Sequence, residues 1–224
     1  MRSYVARSIL QTAVILTPAV LTFVCAGTIA FWQGWLFWAV FLLCTTATGI
    51  YLRISDPALL ERRMHAGPAA EPRPFQKVVM SAIVAMFAGI AVLSGLDHRF
   101  GWSQVPAAAV IIANVAVMLC FGLFIVVLHE NTFAASNVTV EAGQRVVSTG
   151  LYAYVRHPMY TGGLLLIFAM PVAMGSYWGL ILSALATPFL IARIFDEEQT
   201  LLEQLAGYRD YCRAVPYRLI PSVW

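Results

Sequence analysis

Long apolar segments separated by short polar ones are the main pattern of this sequence. No charged residue lies between Arg7 and Arg53, or between Arg156 and Arg193. A transmembrane helix needs about 20 predominantly apolar residues, so each stretch is long enough for two helices. Polar or turn-forming pairs, Gln33-Gly34 and Gly175-Ser176, interrupt the two stretches. The pattern predicts six spans, at about Ile9–Ala30, Trp35–Tyr51, Val78–Leu96, Pro106–Leu128, Tyr160–Met174 and Tyr177–Ile191.

Composition agrees with this pattern, because 60% of the residues are hydrophobic and 11% are charged. A soluble domain has about 45–50% apolar and about 25% charged residues, so a disordered chain and an ordinary soluble enzyme are both excluded. We predict an all-α integral membrane protein of about six transmembrane helices. The last two form a short hairpin, which a cytoplasmic C-terminal helix follows. The chain is expected to be a single membrane domain, 1–224, with a four-helix part at 1–129 and a hairpin and tail at 130–224.

The distribution of positive charge predicts an orientation. Six spans place thirteen of the 14 Lys and Arg residues on one side, together with both termini, and leave Arg99 on the other. Cytoplasmic loops carry the excess of Lys and Arg, so both termini are expected to be cytoplasmic. The alanine-rich, arginine-over-lysine composition favours a bacterial inner membrane. The net charge of +3 then reflects topology and contact with membrane lipids rather than nucleic-acid binding.

Metal-binding patterns are missing from the sequence. The four cysteines form no close pair. His129-Glu130 resembles the start of a zinc motif, but no second histidine follows four residues later. We expect no metal site. The polar segment Asp56–Gln76 is interpreted as a cytoplasmic connector with positive-inside charge; the alternative is that its basic residues contact lipid headgroups.

The segment Arg156-His157-Pro158 directly precedes an apolar helix. Proline suits the first position of a helix, so the fifth span is expected to begin at Pro158. Helix N-termini attract anions, and Arg156 and His157 add donors at the same place. This arrangement predicts a pocket for a carboxylate or phosphate near Tyr160; the alternative is an interfacial arginine beside a helix-capping histidine.

Acidic residues at the end of the sixth span form a second polar group. On a helix, residues three and four apart are neighbours. Asp196 can therefore face water and pair with Arg193, whereas Glu198 has only apolar neighbours at these spacings. A carboxylate in an apolar environment near a membrane is a candidate for function. The hairpin would bring Glu197 and Glu198 close to Arg156, His157 and Tyr160.

Taken together, these motifs resemble the signature of integral membrane methyltransferases of the isoprenylcysteine carboxyl methyltransferase and phospholipid methyltransferase type. The resemblance covers about residues 148–221 and includes Gly150-Leu151-Tyr152, Arg156-His157-Pro158-Met159-Tyr160, Glu197-Glu198 and the segment Pro216-Tyr217-Arg218. It implies S-adenosylmethionine as the cofactor. It also implies a membrane-embedded or lipophilic methyl acceptor.

The resemblance assigns roles residue by residue. Arg156, His157 and Tyr160 would hold the carboxylate and methionine side of the cofactor. Leu151 and Tyr152 would line its pocket, and Glu197 and Glu198 would bind its amino, ribose or adenine donors. Arg218 would be oriented towards the acceptor; many relatives have the arginine directly after a valine-proline pair, whereas Tyr217 intervenes here. The catalytic candidates are therefore Arg218 and Glu198.

The sequence leaves the acceptor open. A carboxylate acceptor is already ionised and needs no base, whereas an amine acceptor needs one, and His129, Glu130 and Glu198 could serve. A thiol is the third alternative. Two other classes of function also remain: a sterol-type membrane reductase using NADPH, with Arg209, Arg213 and Arg218 at its diphosphate, and a transporter or assembly subunit. The second would use polar residues within the spans, of which Asn114 is the clearest in the first four.

Overall fold

The structure is a computed structural model that describes residues 16–134, 137–140 and 143–224. Every regular element within these ranges is a helix. The long helices are α2 (Trp32–Ser55), α4 (Pro74–Phe100), α5 (Ala107–Glu130), α6 (Pro158–Ala173) and α7 (Gly179–Gln204). Shorter helices are α1, described over Leu16–Ala26, α3 (Pro57–Met64) and α8 (Tyr208–Ala214). One-turn 3₁₀ helices cover Pro68–Ala70 and Gly150–Ala153.

Four of these helices, α2, α4, α5 and α7, are long and apolar enough to cross a membrane, while α6 and the described part of α1 are shorter. The prediction of an all-α integral membrane protein is therefore confirmed. The count of six spans stays a prediction, and the start of the first predicted span at Ile9 lies outside the described residues. The helix at the end of the chain is present as α8, and its cytoplasmic position stays a prediction as well.

The predicted hairpin between the fifth and sixth spans is present as α6 and α7. Pro158 begins α6, as expected from its fixed φ and missing N–H. The turn between the helices contains Gly175 with φ of 75°, a conformation that glycine adopts without strain. Its backbone is closed by the Ser176 N–H, which donates to the Pro171 carbonyl over 2.8 Å. The second arm continues beyond the predicted span, since α7 extends through the acidic segment to Gln204, as the helical spacing assumed for Glu198 requires.

The chain divides into two compact units, and each long helix contributes a segment to both. The first unit consists of residues 16–47 in its described part, Val84–Leu119 and Leu165–Ala186. A buried carboxylate, Asp97, stabilises this unit. It accepts hydrogen bonds from the Ser103 N–H and hydroxyl (2.7 and 2.6 Å) and from the Ser176 hydroxyl (2.6 Å). These bonds fix the turn before α7 to the end of α4. Asn114 in α5 is buried, and its amide nitrogen donates to the carbonyls of Val110 and Ala173 within the unit.

The second unit consists of Thr48–Ile83, Cys120–Leu164 and Thr187–Trp224. Its apolar core contains Val127, Tyr152, Leu205, Tyr208, Tyr211 and Val215, against which Leu151 and Met159 pack. The Tyr211 hydroxyl donates to the Tyr152 carbonyl over 2.7 Å, which connects α8 to the Gly150–Ala153 turn. All residues of the candidate site lie in this second unit. The predicted division into a four-helix part, 1–129, and a hairpin and tail, 130–224, differs in kind from these two units and stays a prediction.

Candidate functional site

Glu198 is the centre of a buried group of charged side chains. The residue is 6% exposed, as its apolar neighbours on the helix predict, but its carboxylate faces charged partners from other segments. Its Oε1 accepts from Arg156 Nε over 2.7 Å and from His157 Nε2 over 3.2 Å, and its Oε2 accepts from Arg218 Nε over 2.9 Å. A buried carboxylate needs such partners because charge burial is otherwise costly. The hairpin thus brings Glu198 together with Arg156 and His157 as predicted, and the segment after α8 adds Arg218.

The segment after α8 closes one side of this group through backbone bonds. The N–H groups of Arg156 and His157 donate to the carbonyls of Tyr217 and Arg218, each over 2.9 Å. Arg156 Nη1 donates to the carbonyls of Val215 and Pro216 over 2.8 and 2.9 Å. Burial alone would lower the pKa of Arg156, but the hydrogen bond and charge of Glu198 outweigh it, and the pKa is raised. Arg156 is therefore a fixed cation that positions both Glu198 and the tail.

Glu197 occupies a more open position than its neighbour. Its side chain is 25% exposed, compared with 8% for Glu198. The Tyr160 hydroxyl donates to Glu197 Oε2 over 2.5 Å, and His157 Nδ1 lies 3.9 Å from Glu197 Oε1. The His157 ring thus lies between the two carboxylates. Because Glu197 is less buried than Glu198 and accepts fewer hydrogen bonds, it is the carboxylate that a ligand reaches more easily.

Arg218 lies at the edge of the site against two aromatic rings. Its guanidinium carbon is 5.0 Å from the centre of the Phe195 ring and 5.3 Å from that of Trp224. The Arg218 side chain is 26% exposed, and Phe195 is 49% exposed. A guanidinium stacked on aromatic rings is held in position while keeping its charge. Arg218, the residue predicted to face the acceptor, therefore has a fixed orientation and is still accessible to a ligand.

Leu151 and Tyr152 lie in the apolar core rather than among the charged side chains. The Tyr152 hydroxyl accepts from the Asn131 amide over 3.0 Å. Burial raises the pKa of Tyr152 to about 12, although the Asn131 hydrogen bond lowers it. The Leu151 N–H donates to Glu130 Oε2 over 2.9 Å, which anchors the start of this turn to the end of α5. Their predicted contact with a cofactor remains a prediction.

One local prediction is wrong, since Asp196 does not pair with Arg193. Its side chain is 16% exposed and is bonded instead by Arg73 and by the Gln76 amide. Arg193 is bonded to Glu71, with 2.7 Å between Nη2 and Oε1. These partners come from the segment Asp56–Gln76, which therefore also supplies contacts to α7 in addition to its predicted role as a connector. The signal that could have indicated this role is Glu71, an acidic residue in an otherwise basic part of the loop.

The two other candidate bases near the end of α5 have partners within the chain. His129 Nδ1 is hydrogen-bonded to the Tyr51 hydroxyl over 3.0 Å, and Glu130 holds the Leu151 N–H. Among the residues that the structure describes, no group of three or more His, Cys, Asp or Glu side chains is arranged to hold a metal ion. The charged groups of the site are paired guanidinium and carboxylate groups beside aromatic rings.

A family model described as phospholipid methyltransferase matches residues 107–208. The matched stretch contains Arg156, His157, Tyr160, Glu197 and Glu198 and ends before Arg218. It confirms the resemblance to the membrane methyltransferases that the sequence motifs indicated.

The curated proteins that are similar to the chain include a methyltransferase and a reductase. Methanethiol S-methyltransferase 2 of Bradyrhizobium diazoefficiens is 30% identical over 191 residues, which are 84% of this chain and 64% of that protein. The delta(14)-sterol reductase of Mus musculus is 30% identical over 90 residues, which are 39% of this chain and 22% of that protein. The chain thus spans less than two thirds of the length of either relative.

Proposed function

We propose that this protein is an S-adenosylmethionine-dependent methyltransferase that acts on a lipophilic acceptor within the membrane. The observation that carries this proposal is the group formed by Glu198 with Arg156, His157 and Arg218. The same residues coincide with the methyltransferase signature in the sequence, and the family match over 107–208 supports the same class.

The donor set fits the chemical groups of the cofactor. S-adenosylmethionine, when bound, supplies a methyl group activated on a sulfonium sulfur, and it carries a carboxylate, an ammonium group and ribose hydroxyls. Glu197, whose side chain is 25% exposed, is the acidic group that the ammonium and hydroxyl donors of the cofactor reach directly. Arg156, His157 and Tyr160 bond to Glu198 or Glu197 and hold the two carboxylates in place. Leu151 and Tyr152 would support the apolar wall of the pocket.

The geometry favours an acceptor that is already a nucleophile. Both oxygens of Glu198 accept hydrogen bonds from cationic or imidazole donors, so this carboxylate is poorly placed to remove a proton. Arg218 attracts an anion, and Phe195 beside it offers an exposed apolar ring. A carboxylate on a prenylated or similar lipophilic carrier satisfies both features without a base. We therefore propose carboxyl O-methylation, as in isoprenylcysteine carboxyl methyltransferases, and regard N-methylation of a phospholipid amine as less compatible with the site.

Thiol S-methylation is a second candidate, because the methanethiol S-methyltransferase matches 84% of the chain. A thiolate, like a carboxylate, is an anion that Arg218 could orient. In either case we propose six spans with both termini cytoplasmic, in a bacterial inner membrane. The water-soluble cofactor would then enter from the cytoplasm and the acceptor from the bilayer.

Methyl transfer to a panel of acceptors tests this proposal. The purified protein in lipid vesicles would be incubated with S-adenosylmethionine labelled in its methyl group and with a prenylcysteine, methanethiol or phosphatidylethanolamine. Label is expected on the prenylcysteine carboxylate, or on sulfur if the second candidate holds. Label on phosphatidylethanolamine alone would contradict the argument about the base. No transfer to any acceptor, together with tight binding of NADPH, would support the reductase alternative.

A further inference from the structure

Arg193 connects the candidate site to Glu71 before α4 and to Gln76 in α4 through three interactions, two hydrogen bonds and one ion pair. Nε donates to the Tyr160 hydroxyl oxygen over 2.9 Å, Nη1 donates to Gln76 Oε1 over 2.9 Å, and Nη2 lies 2.7 Å from Glu71 Oε1. Arg193 is 4% exposed and Glu71 is 2% exposed. A guanidinium can distribute its nitrogens over several acceptors in fixed directions, which an ammonium group cannot do. The position of Arg193 is therefore fixed on three sides.

These bonds determine where the Tyr160 proton points. A guanidinium only donates hydrogen bonds, so the Tyr160 oxygen is the acceptor in its bond with Arg193. The hydroxyl proton of Tyr160 is then directed to Glu197 Oε2, 2.5 Å away. The other carboxylate oxygen of Glu197, Oε1, lies 3.9 Å from His157 Nδ1. Arg193 thus determines, through Tyr160, which oxygen of Glu197 is presented to a ligand.

Glu71, before α4, and Gln76, in the first turn of α4, hold Arg193 in the orientation that this requires. Glu71 Oε2 accepts from the Val138 N–H over 3.2 Å, so its carboxylate bridges Arg193 and a second loop. The Gln76 amide donates to Asp196 and accepts from Arg193, which fixes its orientation as well. Breaking a buried ion pair on one side leaves an uncompensated charge and is strongly unfavourable. Glu71 and Arg193 are therefore expected to act together.

We propose that Glu71 and Arg193 are positioning residues for the cofactor site: they hold Tyr160 so that Glu197 presents one defined carboxylate oxygen to the N–H and O–H donors of the methyl donor. This inference rests on the proposed function. It assigns a role to a loop and an arginine outside the Arg156–Tyr160 and Glu197–Glu198 motifs. Neither residue needs to touch the cofactor.

A double-mutant cycle separates positioning from general stabilisation, because residues that act through one hydrogen-bond network have non-additive effects. The affinity for S-adenosylhomocysteine would be measured by calorimetry for the wild type, Arg193→Lys, Tyr160→Phe and the double variant. Arg193→Lys keeps the charge but cannot form all three bonds. We expect it to weaken binding about tenfold in the wild-type background and by less than about twofold in the Tyr160→Phe background. Arg209→Lys, an exposed site on α8, is the matched control and should bind like the wild type.

The outcomes distinguish this inference from the proposed function. The positioning role is contradicted in two cases, provided that the wild type binds S-adenosylhomocysteine. In the first, the losses of affinity caused by Arg193→Lys and by Tyr160→Phe multiply in the double variant. In the second, Arg193→Lys has no effect on the affinity. If the folded wild type does not bind, the proposed function fails and this inference fails with it. Should Arg193→Lys not fold, Glu71→Gln takes its place in the same cycle. Glu71→Gln keeps the size and hydrogen-bonding capacity of the side chain, and the same non-additivity with Tyr160→Phe is expected.

Discussion

Arg218 Nε donates to Glu198 Oε2 over 2.9 Å, and this bond connects the segment after α8 to the last turns of α7. The same guanidinium lies over the rings of Phe195 and Trp224. One side chain therefore holds the tail, faces the acidic group and borders an exposed aromatic surface. This combination is why we place the acceptor at Arg218 and the cofactor at Glu197 and Glu198.

Arg218→Lys should impair turnover more than cofactor binding. Lysine keeps the positive charge but cannot stack a planar group on Phe195 and Trp224 while it bonds to Glu198. We expect kcat/KM for the acceptor to fall by about tenfold or more, with a smaller change in the affinity for S-adenosylhomocysteine. Steady-state kinetics and calorimetry measure the two quantities. Arg213→Lys is the matched control, because the Arg213 side chain is 76% exposed and forms an ion pair with Asp210 on the same helix.

Two adjacent glycines of α6 should respond in opposite ways to alanine. A Cβ at Gly162 would lie 2.6 Å from Phe124 Cε1 and 3.0 Å from Leu123 Cδ2 in α5, whereas a Cβ at Gly163 would meet nothing within 4 Å. Gly162→Ala should therefore destabilise the protein by about 1–3 kcal/mol through overpacking. Gly163→Ala should be neutral or stabilise it by up to about 1 kcal/mol, since alanine favours helix.

Thermal unfolding in detergent compares these two variants under the same conditions. Equal unfolding temperatures for Gly162→Ala and Gly163→Ala would contradict the close packing of α6 on α5 in the second unit. A lower temperature for Gly163→Ala than for Gly162→Ala would contradict it more strongly.

Alkaline pH should destabilise the tyrosine-rich core of the second unit. Burial raises the pKa of Tyr152 to about 12, and it raises the pKa of Tyr208 and Tyr211 as well. Below a pH of about 10, these phenols are neutral in both the folded and the unfolded state, and their contribution to stability is complete. Between about 10 and 12 the unfolded chain loses protons that the folded chain retains, so stability falls as the pH rises.

The unfolding temperature measured between about pH 9 and pH 11 tests this sign. As the pH rises, the unfolding temperature should fall less for Tyr152→Phe than for the wild type. The exposed Tyr154 provides the control, since Tyr154→Phe should follow the wild-type curve. The same slope for wild type and Tyr152→Phe would show that the Tyr152 phenol does not contribute.

Local sequence rules were sufficient for the helices and for the central residues of the site. Pro158 predicts the start of α6, because proline strongly prefers the first position of a helix. The apolar neighbours of Glu198 at helical spacing predict that this residue is buried. Hydropathy predicts the end of the apolar span at Ile191, whereas α7 itself continues to Gln204 and carries the acidic residues. The pairing of Arg193 with Asp196 was wrong because spacing reveals only neighbours on the same helix. Its actual partner, Glu71, is distant in the chain, and no local pattern predicts that contact.

Calorimetric titration with S-adenosylhomocysteine is the most direct test of the proposed cofactor site. The detergent-purified wild type should show saturable binding in the micromolar range. Glu198→Gln should weaken binding about tenfold or more, because it removes the charge that holds Arg156, His157 and Arg218. Glu203→Gln, an exposed change on the same helix, should bind like the wild type. No binding by folded wild-type protein, or unchanged affinity in Glu198→Gln, would contradict the account.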